Sequence, residues 1–408
     1  MTATKTPPVV ISKEVAQSKP YLTGEFNLNG APAAKLPQQQ KAREALINLP
    51  FPGNKDEPWR KTNISKLPIE DLILASAVSV ELSDAPEKVT FLKLSEAPVE
   101  LAEKLNQLIP VDADKFAALA SGYVQDGFIL IVPKGLHVNE TLEATITVPQ
   151  DGTIQNSQIF VLVEEGASAT LHLTYAGSDG SRTTMHNGIV EVIVKDNAHF
   201  HLVERQELGS KTWHFSHEKA SVAADAVLDW VYFAFGTQLT KSFIDLSLDG
   251  KGSDARLYGL AISNSGQHLD LDTQQDHMAP ITFSDLTFKT ALLGTAQSVW
   301  QGMIYVDPKA TQTDGYQSNR NLLLDKRAHA DSIPGLEIKT DDVRCSHGAT
   351  ITEIDQEQIF YLKARGLDEA TARQLIVNGF FQDIIDRVRD DDLRVELIES
   401  IHEQLAAE

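Results

Sequence analysis

The sequence holds a single cysteine, Cys345, in 408 residues. One thiol excludes an intrachain disulfide framework and fits a reducing compartment. Long apolar runs are also missing. No stretch approaches 18 consecutive apolar residues, so no membrane-spanning helix is expected. The opening "MTATKTPPVVISKEVAQSKP" lacks the apolar core of a secretory signal, and the expected setting is cytoplasmic or plastid stroma. Basic residues are scarce: 36 Lys and Arg against 57 Asp and Glu give a net charge of −21. Such a surface repels phosphate backbones and anionic bilayers, so neither nucleic acid nor membrane is expected as a partner. The glycine-rich stretch "LDGKGSDAR" lacks the G-x-x-x-x-G-K-[ST] spacing that wraps phosphates. No G-x-S-x-G nucleophile elbow is present either. Any ATP chemistry must come from another chain.

What is present reads as helical, then β, then helical. Hydrophobic residues at 42% and charged residues at 23% are ordinary for a globular protein. The length exceeds one ordinary core, which calls for several domains or a repeat. Residues 1–35, rich in Pro, Thr, Lys and Ala, are expected to form a mobile arm. Residues 36–122 are expected to be mostly helical, from "QQQKAREALINL", "VELAEKLNQLI" and "ADKFAALASG". From Tyr123 to Ala349 the texture is short β-type runs bounded by Gly, Asn, Asp or Pro. A turn, an alanine and an apolar run recur at Ala167, Ala198, Ala226, Ala255, Ala296 and Ala328, spaced 31, 28, 29, 41 and 32. A period near 30 in a strand-only segment predicts a β-solenoid, with a β-sandwich as the alternative. The wide interval, with "SNSGQHLDLDTQQDHMAP", is expected to hold an insertion. Residues 350–408 are expected to be helical, with Asp355 and Gln358 forming a capping box and Asp368 capping the next helix.

Several clusters could carry chemistry. Cys345 and His347, two apart in "DDVRCSHGAT", would share a strand face. A thiol and an imidazole are metal-ligand types, but two ligands do not complete a site. Histidines 199, 201, 214 and 217 lie close in sequence, and a zinc site there competes with solvated surface histidines. In "QHLDLDTQQDH", Asp270 and Asp272 share a face with Asp276 and His277 nearby. That pattern would suit calcium or acid–base work, as in a β-helix polysaccharide-acting enzyme, or a plain acidic loop. The C-terminal stripe Leu375, Ile376, Phe380, Ile384 and Ile385 is broad enough for a partner as well as for the core.

The block "IPGLEIKTDDVRCSHGATITEIDQEQIFYLKARGLDEATARQLIVNGF" resembles the C-terminal signature of the SufB/SufD family, the scaffold subunits of the SUF iron–sulfur cluster assembly system. "KDEPWRKTNISKL", "DGFILIVPKGLHV" and "NLLLDKRAHADSIP" resemble further family stretches. The resemblance runs from about residue 40 to the C-terminal helices. Having one cysteine makes the chain similar to the SufD branch rather than to the longer, cysteine-richer SufB branch. The resemblance implies a mainly β protein with a right-handed parallel β-helix core flanked by helical regions. It implies a non-catalytic scaffold that pairs with a SufB-like subunit and docks a SufC-like ABC-type ATPase through its C-terminal helices. It implies a nascent-cluster site at the subunit interface, with His347 as ligand and Cys345 beside it. No cofactor is then expected to stay on the isolated chain. The family's link to reduced flavin has no matching motif here. A stand-alone metal-binding homodimer is the remaining alternative.

Overall fold

The alternation of apolar and polar residues after Tyr123 sets strands with one face turned to a shared interior. The computed structural model describes residues 22, 24–29, 31, 33–178 and 180–406. The chain crosses back and forth between two sheets. One runs through Asp126–Val132, Thr153–Val163, Thr184–Val194, Thr212–Val222, Leu239–Leu248, His268–His277, Gln297–Val306 and His329–Ile338. The other runs through His137–Pro149, Ser168–Ser178, His199–Leu208, Val227–Gly236, Asp254–Ser263, Phe283–Leu292, Thr313–Leu323 and Val343–Glu353. Neighbours within these two series pair in parallel, as in Leu239↔His268↔Gln297. This is a parallel β-solenoid, as expected. The interior is a stacked apolar core that includes Leu142, Leu171, Leu202, Leu228, Leu257 and Leu286.

The register explains the uneven alanine spacing. Ala167, Ala198 and Ala226 precede strands of one sheet, whereas Ala296 and Ala328 precede strands of the other. The series changes sheets, which adds half a coil to one interval. The expected insertion is therefore absent: "QHLDLDTQQDH" is an ordinary rung, in unbroken register on both sides. All six alanines are buried, five at the corners that lead into strands and Ala255 inside the strand Asp254–Ser263.

Two expectations for the N-terminal part need correction. Of the expected arm, residues 1–21, 23, 30 and 32 lie outside the described residues, but Leu22 and Phe26 are buried beside Phe51, Trp59 and Phe116. Residues 36–122 are not mostly helical. α-Helices span only Pro37–Asn48, Val99–Ala102 and Lys115–Gly122, with short 3-10 turns at Glu57–Trp59 and Ile69–Asp71, and strands occur at Ile73–Leu74, Ser79–Leu82 and Thr90–Lys93. The last two strands pair antiparallel with the first strands of the two sheets and close that end of the solenoid. Their apolar residues were spent on sheet edges rather than on one helical stripe.

The N-terminal segment also covers the outer face of one sheet through a buried polar clamp. Lys241 and Asp270 are both fully buried and form an ion pair at 3.0 Å. Asp272 stands 3.6 Å from the same ammonium group. Thr62 bonds both Asp270 and His268 Nε2, the latter at 2.8 Å. Trp59 and Phe243 present their ring faces to Lys241 Nζ at 5.8 and 4.6 Å. The helices Gln356–Ala364, Glu369–Ile385 and Asp391–Ala406 follow the last strand. They cover the opposite sheet, where Val377, Phe381 and Leu397 meet Phe233, Tyr258 and Leu260.

The interior also holds buried polar groups. Ser216 donates to Glu218 at 2.6 Å, Ser242 lies 2.7 Å from Ser216, and Trp230 Nε1 donates to Glu204 at 3.2 Å. Burial, and the closeness of the two carboxyls, hold Glu204 well above the usual carboxylate range, and burial pushes Glu218 up to about 7.

Two stability predictions follow from these groups. Lys241→Met leaves the Asp270 carboxylate buried without its counter-charge, so equilibrium denaturation should show a loss of about 3–5 kcal/mol. For the carboxyl pair, folded and unfolded states hold the same protons only below the ordinary carboxylate range. As pH rises from there through about 7, the unfolded chain gives up protons that the folded chain keeps, so stability falls. Glu218→Gln removes one such group. Its thermal midpoint should exceed that of the wild type by several degrees at pH 8 and by less at pH 5.

Candidate functional site

The two ends of the solenoid differ. The first coil is closed by antiparallel strands, but among the described residues nothing pairs with the outer edges of the last two strands. His329–Ile338 pairs only with Gln297–Val306, and Val343–Glu353 only with Thr313–Leu323. Unpaired backbone N–H and C=O groups on a flat edge are a ready template for another chain. Apolar side chains line this end as well, with Ile351, Ile338, Leu336 and Tyr316 exposed.

Cys345 and His347 sit on this open edge strand. In register, Cys345 follows Gly315, Ser284 and Ala255, and His347 follows Gln317 and Leu286. Leu286 belongs to the interior core, so both side chains stand on the interior-facing side. The sequence-based expectation of a shared face agrees with this placement. Cys345 is half-buried and packs against Ile304, Val306 and Ala310, and burial pushes its thiol up. His347 is exposed at the rim. Among the described residues no group of three or more His, Cys, Asp or Glu side chains is arranged to hold a metal ion. The pair is thus incomplete among the described residues, and it lies on the strand beside which a further coil would stack.

The other sequence-based candidates are dispersed by the fold. His199 and His201 lie on one sheet, and His214 and His217 on the other. His201 is buried with neither ring nitrogen bonded, and burial takes it down to about 4. His214 stacks on His186, with ring centroids 5.1 Å apart, an interior pair that only the register brings together. His217 bonds Asp114 at 3.1 Å; burial opposes its charge, but the carboxylate outweighs burial and raises it. Asp270 and Asp272 share an outer face, but both are already engaged by the Lys241 ammonium beneath the N-terminal segment. His277, one residue from Asp276, takes the opposite face and bonds Thr282 and Ser284.

The C-terminal stripe divides. Ile384 and Ile385 are 1% exposed and pack onto the sheet, so they form no partner surface. Ile376 and Phe380 are half-buried, and Leu375 is 49% exposed. The larger apolar surface is on the preceding helix, where Phe360 and Tyr361 are 74% and 56% exposed. That pair was not singled out from the sequence. The signal was available: "IFY" puts three adjacent apolar residues in a helix, which cannot share one face, and Ile359 takes the buried side. Beside them a cleft of about 390 Å³ is lined by Asp355, Glu357, Gln358, Tyr361, Leu362 and Ile376.

Residues 145–380 match the family described as "SUF system FeS cluster assembly, SufBD core domain". An iron–sulfur cluster assembly SufBD family protein of Mycobacterium tuberculosis is 31% identical over 371 residues, covering 87% of this chain and 89% of that protein. The iron–sulfur cluster assembly protein SufD of Escherichia coli is 28% identical over 401 residues, covering 91% and 93%. The iron–sulfur cluster assembly protein SufB of Bacillus subtilis is 27% identical over 279 residues, covering 68% of this chain and 59% of that protein. No helix is long and apolar enough to cross a membrane among the described residues. With a SufBD core spread along a parallel solenoid and with relatives aligned over nearly its whole length, the chain belongs to the SufB/SufD family of SUF iron–sulfur cluster assembly proteins.

Proposed function

We propose that the chain is the SufD-like scaffold subunit of its SUF system, without catalytic turnover of its own. The observation that carries this reading is the uncapped solenoid end with Cys345 and His347 on its interior-facing side. A SufB-like subunit, built on the same core, supplies the missing pairing for both edge strands. Its ligands then meet Cys345 and His347 where the two interiors abut. Iron and sulfide are cargo at this junction rather than a resident cofactor, and one thiolate from this chain is too few for a cluster. In the absence of that partner, a second copy of the chain can occupy the same edges as a homodimer.

The SufC-like ATPase is assigned to the exposed face of the C-terminal helices, through Phe360, Tyr361, Leu375 and Ile376. Tyr361 and Ile376 line the 390 Å³ cleft, and Phe360 and Tyr361 leave large aromatic surface in water. Aromatic anchors of this kind carry much of the energy of protein interfaces. The helices also bury the outer face of one sheet, so movement of the docked ATPase can be passed to the coils that lead to the open end.

Two tests follow. His347→Ala should leave thermal stability within about 1 kcal/mol of the wild type, as expected for an exposed side chain. Capture of the SufB-like and ATPase partners should persist, while cluster assembly in cells falls sharply; Cys345→Ser should be the milder change. Full assembly with His347→Ala would sink the ligand role. For the ATPase, the double change Phe360→Ala, Tyr361→Ala should abolish capture without lowering stability. Ile384→Ala should instead destabilise the fold by about 2–5 kcal/mol through cavity formation. Retained ATPase capture by the double variant would place the docking face elsewhere.

A further inference from the structure

The imidazole of His201 is buried where two elements meet and bonds to neither. It is 2% exposed, and neither ring nitrogen has a hydrogen-bond partner among the described residues. Leu202 belongs to the interior core, so His201 stands on the outer face of its strand, His199–Leu208. The C-terminal helices cover that face: Val203, on the same strand, belongs to one apolar cluster with Val388 and Leu393. On the next rung Asp229 lies beside His201. Arg389, from the turn that follows Glu369–Ile385, donates to Asp229 at 2.5 Å.

A neutral imidazole has one N–H to donate and one lone pair to accept with. Burying both without partners is a cost, and burying the protonated ring adds a charge and a second unmet donor. The surroundings do not repair this. From the strands, Asp229 favours the charge, but its carboxylate already accepts from Arg389 and stands 3.9 Å from Arg256. From the turn, the Arg389 guanidinium opposes it, as does His172, which is 8% exposed and one rung earlier. Around His172 stand Glu143 and Arg205 from the sheet and Asp390 and Glu396 from the helical side. Burial outweighs these carboxylates and holds His172 below the usual imidazole range, as it takes His201 down to about 4.

We propose that His201 and His172 make the turn 386–390 and the helix Asp391–Ala406 an acid-released latch on the outer face of the solenoid. The latch lies closed on the sheet while both rings are neutral, and it lifts when they take up protons from solvent. Lifting hydrates the rings and lets them charge. A ring held below its ordinary range stabilises the closed state fully above that range, which lies near about 6.5. The contribution is lost as pH falls from there toward about 4. For His201 alone, the open fraction should rise about twentyfold between pH 7 and pH 5. The interior carboxyl pair responds in the opposite sense, since the core gains stability over the same fall in pH. Acid therefore loosens the cover while it tightens the core. The neighbouring helices carry the face assigned to the ATPase. That link rests on the proposed function; the latch itself does not.

The test is amide hydrogen exchange of the isolated full-length chain at pH 7 and pH 5, expressed as protection so that the pH dependence of the exchange chemistry cancels. In the wild type, protection over residues 391–406 should fall about twentyfold or more, while protection over Leu239–Leu248 should not fall. His201→Leu should remove most of the fall, and adding His172→Gln should remove the rest. His201→Gln, which cannot titrate either, replaces His201→Leu if circular dichroism shows that variant misfolded. His402, on the latch helix, bonds Asn378 at 2.9 Å, and His402→Gln should keep the wild-type fall. The proposal is overturned if the wild type keeps its protection over 391–406 at pH 5, if the folded double variant falls as far as the wild type, or if His402→Gln alone removes the fall. Because the readout needs no partner, its failure leaves the capture and cell-based tests standing, and the reverse also holds.

Discussion

Backbone pairing between successive coils is the constraint on which the rest depends. Each rung satisfies its N–H and C=O groups only through the rung before and the rung after, so every coil needs two neighbours. At the start of the solenoid the strands Ser79–Leu82 and Thr90–Lys93 supply the missing neighbour. At the other end nothing within the described chain does. The same rule that builds the core leaves one end unfinished, and Cys345 and His347 lie on that end. On the proposed function, the missing ligands and the missing strand pairs have one cause.

Much of this was legible in the sequence. Short β-type runs with a period near 30 gave the solenoid, and Asp355 and Asp368 marked helix starts that their side chains do cap, at 2.8 and 2.7 Å. The same-face placement of Cys345 and His347 followed from strand alternation alone. The errors were those of long-range register. A two-sheet coil lets one motif appear at either sheet, so Ala255 to Ala296 read as an insertion. Residues 36–122 carry apolar runs too short to separate helix from strand by period, and their pairing partners lie tens of residues downstream. Ile384 and Ile385 looked available because a broad stripe does not say which part meets the sheet.

The flanking segments divide the work of burial. Each sheet has an inner face closed by the opposite sheet and an outer face that must be covered by something else. The N-terminal segment covers one, fastened by the Lys241–Asp270 pair, and the C-terminal helices cover the other. Burying charges at such a contact is weak evidence for stability but strong for register, because the pair forms in only one alignment of segment and sheet. The interior tolerates Glu204 and Glu218 at a cost that grows with pH, so this core was not built for stability alone.

The asymmetry of the two ends also limits how large an assembly can become. A solenoid with two open ends would stack head to tail without limit and grow into a fibre. Here the first coil carries short antiparallel strands, and the parallel stacking pattern runs on unblocked only at the other end. When two such open ends meet, the closed ends point outward, and the stack stops at two. Antiparallel strands Ser79–Leu82 and Thr90–Lys93 thus act as a chain terminator for polymerisation.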